Sequence, residues 1–210
     1  MIELYWSPST ASLVVHWLLI ELNVPHELRR LDFATREQKS PDYLKLNPAG
    51  VVPTLVIDGN PICEAAAIVM HLAELYPDAG LAPDVGTPKR AQYYRWMFFM
   101  ANTLQPAYRA WFYPTEPAGV ANVEATKAAA RERIEWAWAC VSAHLDQSGP
   151  FLLGDRLSAA DFLLTMLMRW SRNMPIPTDN WPSLHAHAQL MKARPSFREV
   201  YAREGLTDWT

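Results

Sequence analysis

Two stretches carry residues whose type and order can do chemistry. The first runs from Leu46 to Tyr76. Asn47-Pro48-Ala49-Gly50 is turn chemistry, and Val51 to Ile57 is an apolar, β-branched run of the kind that forms a buried strand. Asp58-Gly59 is a hairpin signal, Asn60 to Cys63 a short returning strand, and Glu64 opens an apolar helix that stops before Pro77. Pro53 is out of place, because proline cannot donate to a ladder at the mouth of a central strand. A cis Val52–Pro53 bond would turn the chain and leave the Val52 N–H and C=O open to pair with a peptide-like ligand as a short added strand. Glu64 is placed to hold an ammonium group, and the unpaired N–H groups of the helix it opens suit a carboxylate. Backbone, ammonium and carboxylate recognition together describe a pocket for a γ-glutamyl peptide. The second stretch is Ser7-Pro8-Ser9-Thr10-Ala11-Ser12, three hydroxyls gathered at the start of the first helix, where serine and threonine also serve as ordinary caps.

The elements that must position these groups read as follows. Ile2 to Trp6 alternates as a strand, Ser12 to Leu22 is a helix so apolar that His16 is its lone polar interior residue, and His26 to Leu31 alternates again. A strand, a crossover helix and a strand imply a parallel pair. A polar loop from Asp32 to Ser40 and a short helix from Pro41 to Lys45 lead into the Leu46 stretch. Pro77 to Thr87, dense in Pro and Gly, is expected to be a linker. Thr87-Pro88 then caps a long aromatic helix that Gln105-Pro106 kinks or ends. A second long helix spans Asn122 to Asp146. Ser158 and Asp161 set a capping box for a buried helix reaching about Arg172, to which no catalysis is assigned. Two short helices follow near Ser183 to Ala193 and Ser196 to Glu204. The boundaries are therefore 1–76, a linker at 77–87, and an all-helical part at 88–210.

Composition narrows the function. The chain has 210 residues, half of them hydrophobic, and a net charge of −3 with no basic run, which argues against a nucleic-acid partner. No spanning segment or cleavable leader is evident, so a soluble, cytoplasmic protein is expected with no membrane partner. Cys63 and Cys140 make no disulfide framework and read as buried small hydrophobes. His144, His185 and His187 lack metal spacing with a third ligand, so no metal is expected.

The order NPxGxVPxL, a DG turn, and E-[SA]-xAI before a helix resembles the glutathione-binding half of the cytosolic glutathione transferases. The resemblance extends over nearly the whole chain. It implies an α+β protein with an N-terminal thioredoxin-like βαβαββα domain and a C-terminal all-α helical domain, as a homodimer that binds glutathione as co-substrate. It implies that Val52, beside Pro53, pairs its backbone with the cysteinyl part of glutathione and that Glu64 and Ala65 hold the γ-glutamyl end. Where many members bond the carboxylate with a serine hydroxyl, Ala65 offers only its N–H. Gln38 and Lys39 fall where the family contacts the glycyl carboxylate, although Lys39 also reads as a solvated loop charge.

Such an enzyme must keep the thiol ionised. Lowering a pKa of about 8.5 by about two units requires roughly 2.7 kcal/mol. A helix N-terminus supplies about 0.3–1 kcal/mol, up to about 2 in a partly buried site. One hydrogen bond to the charged sulfur supplies about 1.5–3 kcal/mol. Ser9-Thr10-Ala11-Ser12-Leu13-Val14-Val15 matches the S-x-x-[CS]-x-x-V segment of the serine-type classes, theta, zeta and delta, which puts Ser9 at the catalytic position with Thr10 and Ser12 as alternatives. Tyr5 is a weaker rival. SPSTASL also resembles the bacterial beta class, SPGACSL, but Ala11 replaces its cysteine and Gln105 its helical-domain histidine. An apolar substrate pocket is expected from Trp96, Met100, Tyr108, Trp111 and Phe112, though a stripe of this kind is also the pattern of a helix core. Arg109 reads either as a receiver for an anionic electrophile or as a surface charge. The implied reaction is attack of the thiolate on a small electrophilic, apolar substrate. A glutathione-dependent isomerase or peroxidase on the same site, or a non-catalytic glutathione-binding or regulatory protein, are the alternatives. An isomerase of the maleylacetoacetate type would be expected to show SSCSWRVR, which is absent.

Overall fold

The computed structural model describes residues 1–210. The chain divides into two compact units, Met1–Ala82 with Lys192–Thr210, and Pro83–Met191.

The first unit is built on a four-stranded sheet of β1 (Ile2–Trp6), β2 (Glu27–Arg30), β3 (Thr54–Ile57) and β4 (Asn60–Cys63), in the order β2-β1-β3-β4. β1 and β2 are parallel, joined by the crossover helix α1 (Ser12–Glu21), and β3 runs antiparallel to both β1 and β4. The register sets Leu4 beside Leu28 and Leu55, so one apolar residue from each of three neighbouring strands meets on the same face. α2 (Pro41–Leu46) is capped by the Ser40 hydroxyl, which accepts from the Tyr43 N–H, and α3 (Ala65–Leu75) follows β4 directly. The continuous apolar run in α1 is explained by its neighbours. It is covered by the sheet, by α3, and by α10 (Pro195–Glu204).

That last contact is a packing feature: Lys192–Thr210, which the sequence places at the end of the helical part, clusters with the first unit. Trp17 on α1 donates its indole N–H to Ser196 Oγ at 2.8 Å and meets the Phe197 ring edge-on at 5.1 Å. Arg194 and Ser196 both bond the Glu21 carboxylate. An α1 that is apolar on every side needs a second cover, and the chain's own C-terminal segment supplies it.

The second unit is helical: α4 (Pro88–Phe99), α5 (Gln105–Phe112), a short α6 (Thr115–Ala118), the long α7 (Val123–Ser148), α8 (Ala159–Trp170) and most of α9 (Pro182–Lys192). The kink expected at Gln105-Pro106 is realised as a π-helical turn at Met100–Leu104. Pro106 has no N–H to donate back one turn, and the widened turn accommodates that loss. Ser158 and Asp161 form the capping box of α8. The Ser158 N–H and O–H both donate to Asp161 Oδ2 at 2.8 Å, and the Leu152 N–H donates to Oδ1 at 2.9 Å. No helix is long and apolar enough to cross a membrane.

If α10 is part of the first unit's core, Phe197→Ala should destabilise the protein by about 3 kcal/mol in urea unfolding. Val85→Ala, at an 82% exposed side chain, should change it by no more than about 0.5 kcal/mol.

Candidate functional site

The site starts from a turn. The Val52–Pro53 bond is cis, and the chain enters β3 one residue later, at Thr54. The Val52 N–H and C=O take part in none of the chain's hydrogen bonds. The preceding carbonyl, that of Val51, is held twice over. It accepts from the Tyr43 hydroxyl at 2.6 Å and from Asn47 Nδ2 at 2.8 Å. Asn47 is itself the hinge of the Asn47–Gly50 turn. Its Oδ1 accepts the Ala49 N–H at 3.1 Å and its carbonyl accepts the Gly50 N–H at 2.9 Å.

Glu64 sits at the far end of the hairpin. It is exposed, and its backbone is left-handed (φ 71°, ψ 112°) at the N-cap of α3, with no side-chain cap on the helix. The Ile68 N–H bonds the Glu64 carbonyl, and the earlier amides of the first turn remain available to a ligand. Ala65 is buried, so its N–H is what it can offer.

Gln38 and Lys39 lie on a short 3₁₀ turn, Glu37–Lys39, entered through Arg36 at φ 61°. Lys39 Nζ donates to the Ala49 carbonyl at 2.9 Å, which ties this turn to the Asn47–Gly50 turn. Gly50, at φ 60°, is required there, since a Cβ would stand 2.7 Å from the Gln38 carbonyl oxygen. Lys39 is thus anchored as well as exposed.

The three hydroxyls at the head of α1 separate cleanly. Ser12 is fully buried. Its Oγ accepts the Ser7 N–H at 3.3 Å and donates to the Ser7 carbonyl at 3.1 Å, a purely structural closure of the turn. Thr10 Oγ1 donates to the same carbonyl at 2.8 Å and lies 2.8 Å from Ser12 Oγ, so its proton is already committed. Ser9 is half-buried and left-handed, at φ 63°. Its backbone N–H reaches Glu204 Oε2 on α10 at 3.4 Å, and the other Glu204 oxygen lies 3.0 Å from His16 Nδ1, with both of those side chains fully enclosed. His16 is therefore a partnered core histidine, as its place on an apolar helix suggests. Glu204 is the residue that sequence reasoning missed.

The aromatic stripe divides. Trp96, Met100 and Tyr108 are interior to the helical unit, which corrects their expected place in an open pocket. Trp96 packs against His144 at 4.6 Å, and the Tyr108 hydroxyl accepts the Trp138 indole N–H at 3.1 Å. Burial also raises the Tyr108 phenol above its ordinary range. Large side chains at helical spacing fill the space between α4, α5 and α7. Trp111 and Phe112 remain at the surface, with Lys127 over the Trp111 ring. Arg109 is a surface charge that forks onto Glu116.

These pieces define a class: a thioredoxin-like sheet that presents an unpaired strand edge and an acidic helix start, followed by a helical unit. Comparison with known proteins gives the family. Residues 2–74 match the family model of the glutathione S-transferase N-terminal domain, and residues 101–203 that of its C-terminal domain. Glutathione S-transferase GST-4.5 of Xanthomonas campestris is 34% identical, with 97% of this chain and 99% of that protein covered. Glutathione S-transferase GstA of Escherichia coli O157:H7 is 27% identical, with the same shares covered. The crystal structure of a Sulfitobacter glutathione transferase homologue with bound glutathione superposes with a TM-score of 0.90 at 30% identity, covering 99% of each chain. That of a Methylococcus capsulatus glutathione transferase gives 0.88 at 31%, covering 99% of this chain and 100% of that one. The chain belongs to the glutathione S-transferase family. Against the beta-class segment SPGACSL, the glycine position is held here by Ser9, whose backbone is left-handed at φ 63°.

Glu204 is enclosed and bonded on both oxygens. Glu204→Ala should remove about 3 kcal/mol of stability in urea unfolding, because it strands His16 and the Ser9 N–H. An unchanged unfolding curve would show that the pair does not hold the turn.

Proposed function

We propose that this chain is a glutathione transferase in which the Ser9 hydroxyl and the start of α1 hold the glutathione sulfur as thiolate for attack on a small electrophilic, apolar substrate. The observation that carries this reading is the pair of unused backbone groups on Val52, in the same unit as the uncapped start of α3 and the hydroxyl turn. A tripeptide with an extended centre satisfies both groups as an added strand. Its γ-glutamyl ammonium meets Glu64, its carboxylate meets the Ala65 N–H, and its glycyl end meets Gln38 and Lys39. The Sulfitobacter homologue holds glutathione, which supports the same ligand here.

Ser9 is the preferred hydroxyl because Ser12 is buried and Thr10 spends its proton on Ser7. A left-handed serine is kept at a cost of roughly 1–2 kcal/mol relative to glycine, a cost that a functional side chain explains. By family resemblance the protein works as a cytoplasmic homodimer. Trp111 and Phe112 are the members of the aromatic stripe exposed enough to meet a substrate.

Two substitutions at Ser9 separate hydroxyl from backbone. Ser9→Ala and Ser9→Gly should both lower kcat/KM towards an aryl halide by about 10- to 100-fold, the worth of one hydrogen bond to a charged sulfur. Both should leave glutathione binding by calorimetry in place, and Ser9→Gly should also raise the thermal midpoint. Full conjugating activity in both variants would move the thiol contact away from Ser9.

A further inference from the structure

The hydrogen bonds beneath the Val52 turn form a circuit in which every proton has one destination. Asn47 Nδ2 donates only. One of its hydrogens goes to the Val51 carbonyl at 2.8 Å and the other to Thr54 Oγ1 at 3.1 Å. The Tyr43 hydroxyl gives its proton to the Val51 carbonyl, which can only accept, at 2.6 Å. The 2.7 Å contact between Tyr43 and Thr54 is then made by the Thr54 proton, donated to the phenol oxygen. Tyr43, Asn47 and Thr54 are all buried, and burial raises the Tyr43 phenol above its ordinary value, so it stays a donor at every physiological pH.

The target of this circuit is half of a planar unit. The Val51 carbonyl and the Val52 N–H belong to one trans amide, and in such a plane oxygen and hydrogen point in opposite directions. Two donors that draw the carbonyl inward therefore turn the Val52 N–H outward. We propose that Tyr43, backed by Thr54 and Asn47, is a positioning residue for glutathione: it aims the Val52 N–H at the cysteinyl carbonyl without touching the ligand. The inference rests on the glutathione reading above. It adds a cause for the orientation of the group that reading uses.

The test is calorimetry and steady-state kinetics on the full chain carrying Tyr43→Phe, Thr54→Val or Thr54→Ser, with glutathione as the varied ligand. Tyr43→Phe and Thr54→Val should each raise the glutathione Kd and KM about five-fold, with kcat at saturating glutathione within about two-fold of the parent, since the first removes the phenol's hydrogen bond to the Val51 carbonyl and the second removes the Thr54 donor that holds the phenol to it. Thr54→Ser keeps the donor and should restore the parent KM. A glutathione Kd unchanged in Tyr43→Phe overturns the proposal while leaving the glutathione reading intact. So does a loss of kcat that tracks loss of folded protein and is not rescued by Thr54→Ser. Failure of the unsubstituted protein to bind glutathione overturns both.

Discussion

A peptide plane tied down on one side is free to recognise something on the other. In this protein the plane is the amide between Val51 and Val52. Its oxygen is taken by Tyr43 and Asn47, and its N–H is used by no other part of the chain. Neighbouring features serve this arrangement. Gly50 accepts a backbone that no side chain would tolerate, so that the Gln38–Lys39 turn can close against it. Pro53 ends the ladder just where an added strand would begin.

Electrostatics then sort the ends of that ligand. In the proposed site the start of α3 would offer amide hydrogens to a carboxylate and Glu64 a carboxylate to an ammonium, a pairing suited to a zwitterionic end. The start of α1 would favour negative charge on a sulfur placed there in the same way. Two left-handed residues that are not glycine, Ser9 and Glu64, stand at these two helix starts. Positive φ at such residues is costly, and the proposed roles of the two side chains would account for it. Ser9 is further held by an element far away in sequence, since Glu204 on α10 receives its N–H.

Much of this was legible in the residues. Pro53 inside a strand-like run, Asp58-Gly59, and Glu64 ahead of alanines each break a local pattern in a way that has one physical meaning. The parallel β1–β2 pair followed from the order of a strand, a crossover helix and a strand. What was hidden depended on distance or on degeneracy. His16 showed that something polar must meet it, but its partner lies 188 residues on, and no local period points there. For the same reason no local pattern showed that 192–210, at the end of the helical part, would pack with the first unit. Trp96, Met100 and Tyr108 have the spacing of a helix face whether that face is core or pocket, and only packing decides. Ser9's left-handed backbone was invisible because serine, unlike glycine, does not announce it.

The central claim is that Val52 pairs its backbone with glutathione while Ser9 faces the sulfur. A crystal structure of the protein soaked with glutathione tests it most directly. The account predicts the Val52 N–H and C=O each within about 3 Å of the cysteinyl backbone, with Ser9 Oγ the hydroxyl nearest the sulfur. A tripeptide bound elsewhere, or one whose cysteinyl amide leaves Val52 unpaired, would contradict it.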